Sequence, residues 1–293
     1  MSYRSAAAFG VLAICMWVGT RVVAQDRPLP DLEPFLRETR KHLETDASLQ
    51  AGYMYRETRR EQKLDRQGRV AEETLEVYEN YPALPGEERW ERLIEKNGRP
   101  VPAHDLEKQD RERRKEAEEA AERLTSQTAA DRAQQQQQWE KQRRERERQI
   151  DDIWLVFDIR MTGRERIDGH DTIAISLTPK PNGKPRTRAG GMMRHFQVRA
   201  WISESDHELV RVDAKAIESV SFGFGLLAKL HKGAELSFVR RKINGEVWLP
   251  AVVRYVGSAR VGMLAVLRRS GTSEYSGYRK FSVDTSTTFN TPK

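Results

Sequence analysis

The sequence predicts an α+β fold, mostly β, in which an antiparallel, meander-like sheet carries an N-terminal helix and a long charged helical insertion. Three observations predict it. From Ile153 onward, short runs alternate apolar and polar residues and are separated by turns such as Asp168-Gly169 and Asn244-Gly245; this is the pattern of hairpin-linked strands with one buried face. No helical segment follows each strand, which excludes a doubly wound α/β sheet. Between Ala103 and Gln149 the chain has no Gly or Pro and is dense in Glu, Arg, Lys, Gln and Ala, all good helix formers or neutral ones.

The first segment, Met1 to Ala24, reads as a cleavable export leader. Arg4 supplies a short positive region. Ala6 to Thr20 is uncharged and shorter than the ~20 apolar residues that span a bilayer. Val22-Val23-Ala24 then places short side chains before an expected cleavage at Gln25, so the protein is expected to be periplasmic or secreted. Arg21 interrupts the apolar run too early for a stable transmembrane anchor. Cys15, the only cysteine, falls inside the leader. The remaining chain, residues 25–293, then has no disulfide, thiol nucleophile or Cys-ligated metal site, and it reads as one domain interrupted by the insertion at 103–149.

Asp31 to Asp46 predicts a helix, because Leu32, Phe35, Leu36 and Leu43 share one face. Gly52 to Leu64, Glu72 to Tyr81 and Arg89 to Glu95 predict strands, punctuated by Gln67-Gly68, by Pro82 to Gly86 and by Asn97-Gly98. In the insertion, opposite charges recur at four-residue spacing, as in Glu107–Arg111 and Glu140–Arg144. One continuous helix there would be ~70 Å long at 1.5 Å per residue. A break is expected within Thr125 to Asp131, giving a helical hairpin or arm. Strands are then expected at 156–167, 172–178, 196–203, 208–219, 234–243, 247–261, 264–271 and 273–283.

The chemistry-bearing motifs are few. No GxSxG elbow, phosphate-binding loop, GxGxxG, HExxH or EF-hand loop occurs, and the six histidines are scattered over a helix, turns and loops. The reading is therefore non-enzymatic, with no cofactor and no metal. The chain carries 51 Lys+Arg against 44 Asp+Glu, a small excess for so charged a protein, and nucleic acid is not an expected partner outside the cytoplasm. The excess is uneven. Pro179 to Ile202 contains Lys184, Arg186, Arg188 and Arg194 and no acid, a loop able to attract phosphate or carboxylate headgroups or simply to be solvated. Ser221 to Leu230 (SFGFGLLAKL) joins apolar side chains to two glycines, which suits either a lid over a cavity or a core-filling crossover.

Several of these segments together carry a family resemblance: the leader and first helix, Tyr53-Met54-Tyr55, Glu95 to Pro100 leading into a charged helix, Ile167-Asp168-Gly169, and Ala200-Trp201-Ile202 with the turn Asp206-His207-Glu208. Trp248-Leu249-Pro250 and Tyr275 to Phe281 complete it. The chain resembles the outer-membrane lipoprotein-sorting, LolA/LolB-like periplasmic superfamily, which includes RseB-type sensor domains. That resemblance covers most of Leu32 to Val283 and implies a strongly curved sheet, a half-barrel, with helices over an apolar concave face that carries or senses hydrophobic molecules. The charged insertion and the extra length depart from the short carriers of that group. The candidates for the cavity and its mouth are Tyr53, Tyr55, Leu75, Val77, Ile173, Ile175, Trp201, Phe222, Phe224, Leu226 and Leu227. Lys184, Arg186, Arg188 and Arg194 are the candidates for an anionic headgroup. The expected ligand is a lipid or lipoprotein acyl chain. The alternatives are an envelope sensor or scaffold that uses the charged arm to bind a protein, and, third, a hydrolase.

Overall fold

The structure, a computed structural model, describes residues 27–82, 89–222, 228–261 and 265–280. The expected leader lies outside the described residues. Helix α1 (Leu32–Ala51) is followed by strands β1 (Tyr53–Leu64), β2 (Val70–Tyr81), β3 (Trp90–Lys96) and β4 (Arg99–Pro100). Helices α2 (Ala103–Ser126) and α3 (Ala129–Val156) lead into β5 (Phe157–Ile167) and β6 (His170–Pro179). Then come a short α4 (Arg188–Met193), β7 (Phe196–Ser203), β8 (Leu209–Ala216), β9 (Val220–Phe222), β10 (Ala228–Leu230), β11 (Glu235–Ile243), β12 (Val247–Val261) and β13 (Ala265–Lys280).

All strands join one antiparallel sheet in the order β4-β3-β2-β1-β13-β12-β11-β8-β7-β6-β5, with the β9–β10 hairpin paired to the end of β12. The last strand, β13, pairs with the first, β1, so the N-terminal hairpins and the C-terminal meander form a single surface. That surface is curved and stays open between its edges β4 and β5, the half-barrel that the sequence led us to expect.

Strand alternation assigns side chains to two faces. Ile173 and Ile175 of β6 and Ile202 of β7 lie on one face and pack with Phe35 and Leu36 of α1, joined by Trp154 from the end of α3. Each such fully buried side chain contributes ~1.5–3 kcal/mol. Following the cross-strand pairs from β6 to β1 places Tyr53 and Tyr55 on this same helix-bearing face. Tyr53 packs with Val247, Leu249, Ile243 and Tyr278 in a second cluster.

The helical segment differs from a hairpin returning to the strand it left. Its two helices carry the chain from one edge strand, β4, to the other, β5. The break falls at Gln127-Thr128, where Thr128 and Asp131 form a reciprocal capping box. α2 docks along β3: Arg92 pairs with Asp110 at 2.7 Å, and the Gln109 amide bonds the backbone N–H and C=O of Leu93. α3 is solvated over most of its first five turns and runs past Gln149 to Val156, which is fully buried.

Two further differences have local causes. The strands expected at 264–271 and 273–283 are one strand, β13, because β12 pairs with 265–274 while β1 pairs with 269–280, and the overlap holds the backbone extended through Thr272. The Met-containing stretch at 188–193 forms α4, whose Thr187 cap accepts from the Gly190 N–H at 3.0 Å.

Candidate functional site

The helices leave one region of their face uncovered. Leu236 pairs with Tyr255, Tyr255 with Gly271, and Ala259 with Leu267 across β11, β12 and β13, so all five share the helix-bearing face. Leu236, Tyr255, Ala259 and Leu267, with Phe196, Leu230, Ala234 and Gly257, line an apolar cleft of about 360 Å³, and Gly271 lies beneath the Tyr255 ring. Leu236, Tyr255 and Leu267 are between 36 and 45 % exposed. Glycine and alanine make the depression. A Cβ on Gly271 would lie 2.4 Å from the Tyr255 ring, and one on Gly257 would lie 2.9 Å from the Ala234 Cβ. The Tyr255 hydroxyl donates to Glu61 across β13. Burial first, and then that carboxylate, push its pKa up to about 12, so it stays neutral and donating at ordinary pH. The charged groups of the lining are Glu235, which is paired with Lys215 at 2.7 Å, and Arg269.

This cleft is not where the sequence pattern concentrated its candidates. Ile173 and Ile175 are fully buried beneath α1 and fill the core. Tyr53 is buried in the second cluster, and Tyr55 is half-buried among Tyr275 and Tyr278, with ring centroids 5.6 and 5.2 Å away and Arg89 over its own ring. Burial pushes all three of Tyr55, Tyr275 and Tyr278 upward in pKa. Leu75 and Val77 pair with Arg60 and Thr58 on the opposite face of the sheet. Trp201 is also on that face, sandwiched between the guanidinium groups of Arg199 and Arg211 and bonded through Nε1 to Glu165 at 2.9 Å. Phe222 ends β9, whose partner β10 borders the cleft through Leu230; Phe224, Leu226 and Leu227 lie outside the described residues. Tyr53, Tyr55, Ile173 and Ile175 thus share a face with the cleft without lining it. The cleft residues were legible only as a β-period pattern, since cross-strand register decides which apolar positions meet and which lack a helix above them.

Lys184, Arg186, Arg188 and Arg194 are all exposed on a segment that a buried acid holds in place. Asp152, fully buried near the end of α3, accepts from the backbone N–H groups of Arg186 (2.7 Å) and Thr187 (2.8 Å) and from the Thr187 hydroxyl (2.6 Å). Burial alone would raise its pKa, but these bonds win and hold it below the usual carboxylate range.

Beside the cleft, His231 Nδ1 lies 2.9 Å from the Ser258 hydroxyl. No carboxylate among the described residues bonds this imidazole, so the orienting acid of a hydrolytic triad is missing from the pair. Among the described residues no group of three or more His, Cys, Asp or Glu side chains is placed to hold a metal ion, and no helix is long and apolar enough to cross a membrane.

No protein-family model matches the chain, and no curated protein matches it in sequence. Solved structures do resemble it. A putative outer membrane lipoprotein-sorting protein domain from Vibrio parahaemolyticus is 10 % identical with a TM-score of 0.32, covering 84 % of this chain and 90 % of that one. A LolA superfamily protein from Nitrosomonas europaea is 11 % identical with a TM-score of 0.31, over 84 % and 93 % of the two chains. The Pseudomonas aeruginosa MucA/MucB complex structure contributes a chain that is 9 % identical with a TM-score of 0.21, over 85 % and 98 %.

Proposed function

We propose that this chain is an exported, non-enzymatic binding protein whose apolar cleft holds one hydrophobic chain, such as the acyl chain of a lipid or lipoprotein. One observation carries the reading: large apolar side chains at Leu236, Tyr255 and Leu267 stand partly exposed around a depression lined by Gly257 and Ala259. A soluble protein that leaves such a concavity uncovered gains by filling it, and each buried CH₂ of a ligand contributes ~0.8 kcal/mol. The volume sits near the lower end of the ~300–1,000 Å³ usual for small-molecule sites, which suits one chain. The test is native mass spectrometry of protein purified from its own cell envelope. The reading expects a stoichiometric adduct of lipid mass that organic extraction removes. A bare protein mass, with no lipid taken up on incubation, would refute it.

A second reading, an envelope scaffold, is favoured by Trp139, which is 68 % exposed on the solvated part of α3. Exposed aromatic side chains anchor protein interfaces. A photo-crosslinking residue at position 139 should then trap one discrete envelope protein, and its absence would remove this reading.

A further inference from the structure

The strand order brings one set of loops to a single end of the sheet. The β1–β2 turn, the segment between β6 and β7, the β10–β11 turn and the tips of β12 and β13 all lie there. Lys184, Arg186, Arg188 and Arg194 are exposed at this end, and none makes a side-chain ion pair or hydrogen bond among the described residues. The same holds for Arg260 and Arg268, half-buried near the tips of β12 and β13. Acids of this end are already paired within the fold: Asp65 with Arg69, Glu72 with Lys63 and Glu235 with Lys215, while Glu218 lies 2.9 Å from His195 Nδ1. The opposite end instead carries the turns holding Asp168, Glu204, Asp206 and Glu208.

Exposed aliphatic side chains stand among the unpaired cations. Val256, Val261, Val266 and Leu267 are each 41–44 % exposed. Register places Val261 and Leu267 on the helix-bearing face and Val256 and Val266 on the other. The β12–β13 end therefore carries aliphatic side chains on both faces, with Arg260 and Arg268 beside Val266 on the face away from the cleft. A protein partner would cover one face, whereas a fluid interface surrounds a wedge.

We infer that this end of the sheet docks on the surface of an anionic lipid bilayer, with the β12–β13 side chains entering the headgroup layer and the surrounding cations on lipid phosphates. Basic residues close to an anionic membrane are attracted to it over about a Debye length, and buried aliphatic area adds to that attraction. Docking in this orientation does not depend on the cleft holding a ligand.

Co-sedimentation of the chain from Gln25 onward with vesicles tests the inference. The wild type should sediment at low salt with phosphatidylcholine vesicles that contain phosphatidylglycerol, stay in solution with pure phosphatidylcholine, and be released by added salt. Arg260→Glu/Arg268→Glu, on the face away from the cleft lining, should weaken partitioning by more than about tenfold while leaving binding of a soluble fluorescent fatty acid unchanged. Val266→Glu should weaken it as well. Equal binding to both vesicle types, a charge-reversed variant that sediments like the wild type, or no sedimentation of protein that is folded by circular dichroism would each overturn the inference. Retention on an immobilised acidic peptide without any vesicle binding would also overturn it, assigning this end to a protein partner.

Discussion

Asp206 accepts from Lys242 Nζ at 2.7 Å and from Trp248 Nε1 at 3.0 Å. Its burial opposes ionisation, yet these donors, with Ser203, hold its pKa down to about 2. A depressed carboxylate stabilises the fold above its unfolded value of ~3.9 and loses that contribution as pH falls toward the folded value. The wild type should therefore lose melting temperature between pH 4 and about 2 more steeply than Asp206→Asn, as followed by thermal denaturation; parallel curves would show that the ion pair carries no net stability. Asp152 and Gly190 form a tighter pair. A Cβ at position 190 would lie 2.1 Å from Asp152 Oδ2, so Gly190→Ala should cost about 1–3 kcal/mol by overpacking. Asp152→Ala should cost about 3 kcal/mol or more, because it strands two backbone N–H groups and a hydroxyl. Denaturant titration of both variants and the double mutant should show costs that do not add; strict additivity would separate the two sites.

α3 shows how an element can be stable in sequence terms and still contribute little to the core. Its ion pairs, such as Arg144–Glu140 at 3.2 Å, are exposed, and such pairs are worth only ~0.3–0.5 kcal/mol. Packing begins near Gln149 and is complete at Asp152 and Val156. Amide exchange over residues 132–146 should be at least about a hundredfold faster than in β6 and β7, since only local helix opening is needed there; equal protection would mean that α3 is packed in solution. The same element marks what was legible beforehand. Charge spacing located the helical segment and a break within Thr125 to Asp131, and Asn97-Gly98 and Asn244-Gly245 sit in the left-handed turns that the dipeptides predict. That α2 and α3 join opposite sheet edges was not legible, because topology depends on which strands pair and β1 with β13 pair across more than two hundred residues. The short hairpin β9–β10 escaped for a related reason: its arms are three residues each, too few to show a period.

At the scale of the molecule, the single sheet divides its helix-bearing face into a covered region and an open one. α1 fills the first with Phe35 and Leu36 over Ile173, Ile175 and Ile202. The second is the cleft at Leu236, Tyr255 and Leu267. The sequence pattern marked the strongest apolar strand, Thr172 to Thr178, as cavity wall. Its strength reflects core packing instead, whereas the open cleft is built from isolated apolar positions among charged ones, such as Leu267 beside Arg268 and Arg269. The most direct measurement is a fluorescence titration of a fatty-acid probe into the wild type and Leu267→Glu. Saturable binding by the wild type, weakened by ~1–3 kcal/mol in the variant with an unchanged melting temperature, is the predicted result. No saturable binding by the wild type, or equal binding by a folded Leu267→Glu, would contradict the assignment of the cleft as the ligand site.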